Sequence, residues 1–432
     1  MSFSEWREVE LEEVIELVID YRGKTPKKLG GDWSQVGYRA LSAKNIKTGR
    51  IVQEDAIRYL DSNLYTKWMK EKVNRGDILM TSEAPFGELL HWDSDEKIVL
   101  SQRLFCLRTN KKVDSKYLYY YMTTNRFQKE LDARATGTTV RGLRQPQLLK
   151  CKIEYPPIKD QEAIANILSS MDEKIRVNNQ INKTLENMAQ AIFKQWFVDF
   201  EFPNEEGEPY KSSGGEMFES ELGMIPKGWE VKKSSDIANV NIGKTPPRKE
   251  KECFTLDPDD YKWISIKDLG NSGAYIFDSS EYLTKESIEK YNVKVVPDNT
   301  VVLSFKLTIG RVSITCGQMT TNEAIAHFNL SNKSKITTEY LYLYLKGSDY
   351  RKLGNTSSIA NAVNSKIIKS MPIIVQDNKT IKTFSEVMES VFSKIKYTIK
   401  QSDKLIEIRD SLLPKLMSGE IRVPLDEEGI VS

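Results

Sequence analysis

Two short stretches carry residue types from which phosphate chemistry is built. Gly23-Lys24-Thr25-Pro26 and Gly243-Lys244-Thr245-Pro246 each join a turn-forming glycine to a lysine and a hydroxyl. A nucleotide-cradling loop needs another glycine five residues before the first, so that backbone N–H groups can wrap the phosphates. Val18 and Ala238 stand there instead. Each motif therefore reads as a turn that presents a basic side chain. Other reactive groupings are scarce. Two histidines, His91 and His327, are too few for a multi-histidine metal or nuclease centre. His327 follows Ala326 in a strand-like apolar run and is expected as a packed or surface residue. Cys106, Cys151, Cys253 and Cys316 are scattered, with no Cys-x-x-Cys pair, and are expected as core thiols in a reducing cytoplasm. No dinucleotide fingerprint, no Asp/Asn-Pro-Pro-aromatic stretch of the amino-methylating type and no recognisable carboxylate pair occurs. Neither a catalytic residue nor a bound metal is expected.

Composition narrows the class. A 432-residue chain with 39% hydrophobic and 29% charged residues has room for two or three domains with cores. A net charge of +2 rules out a histone-like protein but leaves local basic patches open. Glu5, Arg7 and Glu8 interrupt any secretory segment, and no apolar run is long enough to span a bilayer, so a cytoplasmic location is expected.

The turns recur because the chain repeats itself. Tyr38–Lys44 returns as Tyr261–Lys267, Gly87 as Gly310 and Tyr117-Leu118-Tyr119 as Tyr340-Leu341-Tyr342, all at the same offset (261 − 38 = 310 − 87 = 340 − 117 = 223). Equal spacing over so long a stretch means duplication of a whole folding unit. Residues 1–158 form the first unit. Ile78-Leu79-Met80 and Ile98-Val99-Leu100 read as strands, Lys116 to Leu131 as one amphipathic helix, and the segment around Arg141-Gly142 as a loop. Residues 229–375 form the second unit. Between them, 201–228 reads as a linker, because Pro203, Gly207, Pro209 and Ser212-Ser213-Gly214-Gly215 oppose regular structure.

Two helical regions complete the order. Over 159–200, Leu168, Met171, Ile175, Asn178, Asn182, Leu185, Ala189, Ile192 and Trp196 alternate in steps of four and three, an a/d seam. Gln161 to Trp196 would be ~54 Å long at about 1.5 Å per residue. Over 376–421, Phe384, Met388, Val391, Ile395, Thr398, Ser402, Leu405, Leu412 and Leu416 repeat that spacing. Arg409 interrupts the second seam, and Pro414 is expected to kink or end its last turn. The simplest burial of both seams is on each other, antiparallel. That predicts an α+β protein: two similar α/β units separated by a long antiparallel two-helix coiled coil, with pseudo-two-fold internal repetition. Asn178, Asn182, Thr398 and Ser402 would then form a shared polar layer that fixes register.

In this order the chain resembles the specificity subunits of type I restriction–modification systems. Pro156-Pro157 before Asp160-Gln161, Ser220–Trp229 entering the second unit and Leu412–Ile421 at the end carry the likeness. The second unit departs at Asp377-Asn378, where the family often has Glu-Gln; Asp377 there is available as a helix N-cap. The resemblance implies two target-recognition domains, each reading half of a split, asymmetric double-stranded DNA sequence. It also implies no catalytic centre and no cofactor bound by this chain. Two methyltransferase subunits would dock on the paired helices, carry S-adenosylmethionine and methylate adenine N6, which requires the base to leave the stack. Restriction motor–nuclease subunits would join them. A stand-alone two-headed DNA-binding regulator is the alternative.

DNA readers need Lys and Arg for phosphates and side chains that match base edges. Candidates in glycine-bounded loops of the first unit are Lys24, Thr25, Lys44, Asn45, Ser82, Arg141, Arg144 and Gln145. Their counterparts in the second are Lys244, Thr245, Lys267, Lys306, Ser358, Asn361 and Asn364. The two sets differ, so the two halves of the target are expected to differ.

Overall fold

A computed structural model of the chain describes residues 6–137, 140–331, 333–350 and 363–424. It divides into two units, one of residues 1–175 with 403–432 and one of residues 176–402. Each combines a mixed α/β fold with parts of the same two long helices. The central helix is Ile158–Phe197 and the distal helix Asn378–Met417, 40 residues each.

The first unit is built on a four-stranded antiparallel sheet. Its order is Ile15–Asp20, Leu104–Thr109, Ile78–Ser82, Phe86–His91. All five residues of Ile78–Ser82 are buried, because the sheet is covered on both faces. The second unit repeats this plan with Ala238–Ile242, Ile325–Leu330, Val301–Ser304 and Val312–Thr315, and adds Tyr275–Ile276 at the edge. The registers correspond: Leu104 faces Thr81 in the first sheet and Ile325 faces Ser304 in the second. In both units a short strand at the start of the unit pairs antiparallel with one just before a long helix, Arg7–Glu10 with Lys152–Tyr155 and Glu230–Lys233 with Pro372–Val375. The duplication read from the sequence is therefore a duplication of topology.

Two expectations are corrected. Lys116 to Leu131 is two helices, Ser115–Thr123 and Asn125–Arg134, because Thr124 leaves the helical conformation and its hydroxyl caps the second through the Phe127 N–H. The segment 201–228 is no loose linker. It holds a hairpin, Met217–Ser220 with Gly223–Pro226. It also buries Phe202 and Ile225, with Phe202 stacked between Tyr210 and Trp229 at 4.6 and 5.0 Å. Pro414 stands in the last turn of the distal helix, which ends at Met417.

The helices run antiparallel within each unit. In the second unit, Phe384 near the start of the distal helix lies 4.7 Å from Phe197 at the end of the central one. Farther along, Asn178 Nδ2 donates to Ser402 Oγ at 3.2 Å and to Gln401 Oε1 at 3.0 Å, and the Thr398 hydroxyl donates to Asn182. The expected polar layer thus exists and satisfies its own groups, as a buried seam residue must. Within the first unit, Arg409 fills its off-pattern seam place by pairing with Asp172 at 2.6 Å, and Asp172 accepts from the Tyr120 hydroxyl at 2.7 Å. Leu168, Phe384, Met388, Ile395 and Leu416 are fully or nearly fully buried. Met171, Ile175, Leu185, Ile192, Trp196, Val391, Leu405 and Leu412 are half-buried. Phe193, Phe197 and Phe392 join the buried stripe although the four-three spacing omitted them. The distal helix begins under Asp377, whose carboxylate accepts from the Lys379 and Thr380 N–H groups at 2.9 Å and from Trp229 Nε1 at 3.0 Å. Burial is the largest single influence on that carboxyl and opposes ionisation. The converging donors outweigh it and hold the group below the usual aspartate value.

Candidate nucleic-acid interface

In the first unit three loops converge on an open cleft of about 660 Å³, lined by Asp20–Lys24, Glu83, Gln102 and Arg103. The backbone fixes their meeting. Ser82 N donates to Arg103 O at 2.9 Å, Leu143 N to Ser82 O at 3.0 Å, and Ala43 N to Gln102 O at 3.1 Å. Glu83 and Gly142 form a bridge. The wall is strongly charged. Arg22 forks onto Asp20 with two contacts of 2.8 Å, donates to Leu143 O at 3.2 Å and lies 4.1 Å from the Phe105 ring centre. That guanidinium is committed to tying the loops together. Arg103 pairs through Nε with Glu83 at 3.0 Å, and both side chains are substantially exposed.

The sequence candidates fare unequally here. Lys24 lines the cleft, yet its ammonium donates to Trp68 O at 2.6 Å and lies 4.0 Å from the Tyr21 ring centre. Burial, and secondarily the charge of Lys70, pulls its pKa below the usual lysine value. Thr25 is half-buried and accepts from Lys28 N. Lys44 is exposed on the short helix Ala43–Asn45, which starts on the Gln102 carbonyl. Asn45 is fully buried: its Oδ1 accepts from the Ser42 N–H and hydroxyl, and its Nδ2 donates to Gln53 O. Ser82 is 1% exposed. Both side chains are buried in this conformation, and that of Asn45 is spent on neighbouring groups of its own turn. Arg141 is exposed and pairs with Asp132 at 2.6 Å. Arg144 is exposed at the N-cap of the helix Gln145–Leu149, whose first residue, Gln145, is half-buried.

The second unit assembles matching loops. Gly243 N donates to Ile325 O, Lys244 N to Thr321 O, Asn322 N to Ile264 O and Phe305 N to Ala324 O, at 2.9–3.0 Å. Gly243 is obligatory, since a Cβ there would stand 2.1 Å from Thr321 Oγ1 and 2.2 Å from Asn322 O. Gly23 has nothing within 4 Å of that position, so the twin glycines are not under the same constraint. Lys244, Lys267 and Lys306 are exposed. Thr245 is half-buried and its hydroxyl donates to Glu323. Asn364 caps the helix Ser365–Lys369, accepting from Lys366 and Ile367 N–H at 3.0 Å, which explains its place without a ligand. Ser358 and Asn361 lie outside the described residues. Gln102, Arg103 and Glu83 were missed; no glycine or basic run marks them in the sequence.

His327 is buried against the Thr321 hydroxyl at 2.5 Å, and burial pushes its imidazole down to about 4. All four cysteines are free and buried. Among the described residues no group of three His, Cys, Asp or Glu side chains is placed to hold a metal ion, and no helix is long and apolar enough to cross a membrane.

A duplicated fold that brings corresponding loops together in each unit defines a class, and comparison with known proteins gives the family. The model of the type I restriction modification DNA specificity domain matches residues 3–187 and again 226–407. The chain therefore belongs to that family and carries its domain twice. It is 28% identical over 385 residues to the type I restriction enzyme MjaIX specificity subunit of Methanocaldococcus jannaschii, covering 87% of this chain and 82% of that one. It is 26% identical over 410 residues to the HindI specificity subunit of Haemophilus influenzae, covering 82% and 88%. Its fold is similar to that of the type I restriction–modification S subunit of M. genitalium, with a TM-score of 0.56 at 15% identity over 95% of this chain and 96% of that one.

Proposed function

We propose that each unit reads one half of a split, asymmetric DNA sequence through its loop cleft, and that the paired helices set the spacing between the halves. Two methyltransferase subunits dock on the helices, bring S-adenosylmethionine and methylate adenine N6. Restriction motor–nuclease subunits complete the assembly. The chain contributes recognition and no chemical step of its own. The observation that carries this reading is that the same loops meet at the same registers in both units while their side chains differ. A common frame with exchanged readers suits a target whose halves are unlike.

The test is a duplicated first unit. Residues 7–155 replace residues 230–375, joining at the paired edge strands that open and close each unit. The expected product specifies a symmetric target, the first half-site facing its own inverted copy at the original spacing. Retention of the native asymmetric target would contradict the proposal.

A further inference from the structure

The ion pair in the first unit's cleft is replaced by Lys306 and Ala324 at the equivalent residues of the second, and that difference carries information. We propose that Glu83 and Arg103 together read one G·C base pair in the first half-site, and that Lys306 and Ala324, at the equivalent places, give the second unit a different preference there. This rests on the DNA-reading role proposed above and names the residues and the base pair through which one unit exercises it.

The equivalence is set by backbone hydrogen bonds. Ser82 N donates to Arg103 O at 2.9 Å, and Phe305 N donates to Ala324 O at the same distance. Glu83 follows Ser82 as Lys306 follows Phe305. The next residues, Ala84 at φ +43° and Leu307 at φ +61°, both adopt the left-handed conformation. The turn recurs with this hydrogen bond and this left-handed residue, the first copy differing by a cis Ala84-Pro85 peptide. In the first unit it presents a carboxylate beside a guanidinium, and in the second a lysine beside a methyl group. The second unit holds the shared hydrogen bond and left-handed residue without such a pair.

Position and chemistry then agree. Arg103 itself sits at φ +65°, a region that favours glycine or asparagine, so a long charged residue there runs against local preference. Its side chain is 49% exposed and that of Glu83 is 39% exposed. The other cleft guanidinium, Arg22, is held by Asp20 and Leu143 O, and Lys24 by Trp68 O. Arg103 is the cation placed to leave its partner for a ligand. An arginine fork matches guanine O6 and N7 in the major groove, and a carboxylate accepts from cytosine N4. The two side chains are complementary to the two edges of one G·C pair, and in the absence of DNA each neutralises the other.

The experiment maps methyladenine in cells whose chromosomal copy of the full-length chain carries Arg103→Ala, Arg103→Lys or Glu83→Gln, with Arg75→Ala as a control. Arg75 is an exposed arginine paired with Asp93 and Asp95. With Arg103→Ala, one G·C position in one half of the motif becomes degenerate, discrimination there falling by about 5–150-fold, while the other half and the spacer stay unchanged. Arg103→Lys keeps the charge, loses the fork and relaxes the same position; Arg75→Ala changes nothing. An unchanged motif in Arg103→Ala and Arg103→Lys overturns the inference, as does a uniform fall in methylation with no base relaxed, the mark of a phosphate contact. Should Arg103→Ala abolish methylation, Arg103→Lys decides by the same criterion. A native first half-site without any G·C pair also overturns it. If the unmutated chain specifies no split motif, the underlying DNA-reading role fails instead, which separates the two outcomes.

Discussion

Deleting residues 175–181 and 399–405 together is expected to move the preferred target to a spacer about 3 base pairs shorter. Seven residues of helix correspond to about 10.5 Å, and B-DNA rises about 3.4 Å per pair. The deletion removes one heptad from each seam, so the apolar faces stay in phase. Asn178 and Ser402 leave together, so no half of that hydrogen bond is stranded. The Asn182–Thr398 bond remains to hold register. Methylation at the native spacing is expected to fall at least about tenfold, the consequence of losing roughly 1.4 kcal/mol of simultaneous engagement. The assay is methylation of a duplex series in which only spacer length varies. A preference that stays at the native length would mean that the helices do not set the distance.

Phe384→Ala is expected to destabilise the second unit by about 3–5 kcal/mol. The ring is fully buried and touches Phe193, Trp196, Phe197 and Tyr340 at centroid distances of 4.7–6.4 Å. It joins the start of the distal helix, the end of the central helix and the helix Thr338–Gly347 of the recognition fold. Its removal leaves a cavity that the four aromatic neighbours cannot collapse into without leaving their rotamers. Denaturant unfolding gives the magnitude. Hydrogen exchange locates it, with protection lost in residues 189–197 and 338–347 and retained in the sheet of the first unit. A change below about 1 kcal/mol would show that this aromatic cluster does not anchor the helices to the unit.

Much of the frame was legible because it repeats and because its helices are periodic. Leu168, Met388, Ile395 and Leu416 follow from four-three spacing alone. Phe193, Phe197 and Phe392 do not, since the helices also pack on the recognition folds and the apolar stripe widens beyond an a/d seam. The segment 201–228 was misread from its Pro, Gly and Ser content, because stacking of Phe202 on Trp229 is a tertiary event with no local period. Site residues were harder still. Loop glycines locate the cleft but not the pose of its side chains. Asn45 and Asn364 satisfy nearby backbone groups, which their type allows equally well as base reading. Arg103 escaped because a left-handed arginine leaves no trace in the sequence.

The central claim is that this chain alone chooses a two-part DNA target for an adenine methyltransferase. Genome-wide mapping of methyladenine in otherwise identical cells, with and without the chain, tests it most directly. One split, asymmetric motif is expected to lose its methylation completely on deletion and to regain it when the full-length chain is restored. A methylation pattern that does not change on deletion, or the loss of an unbroken motif without a spacer, would contradict the claim.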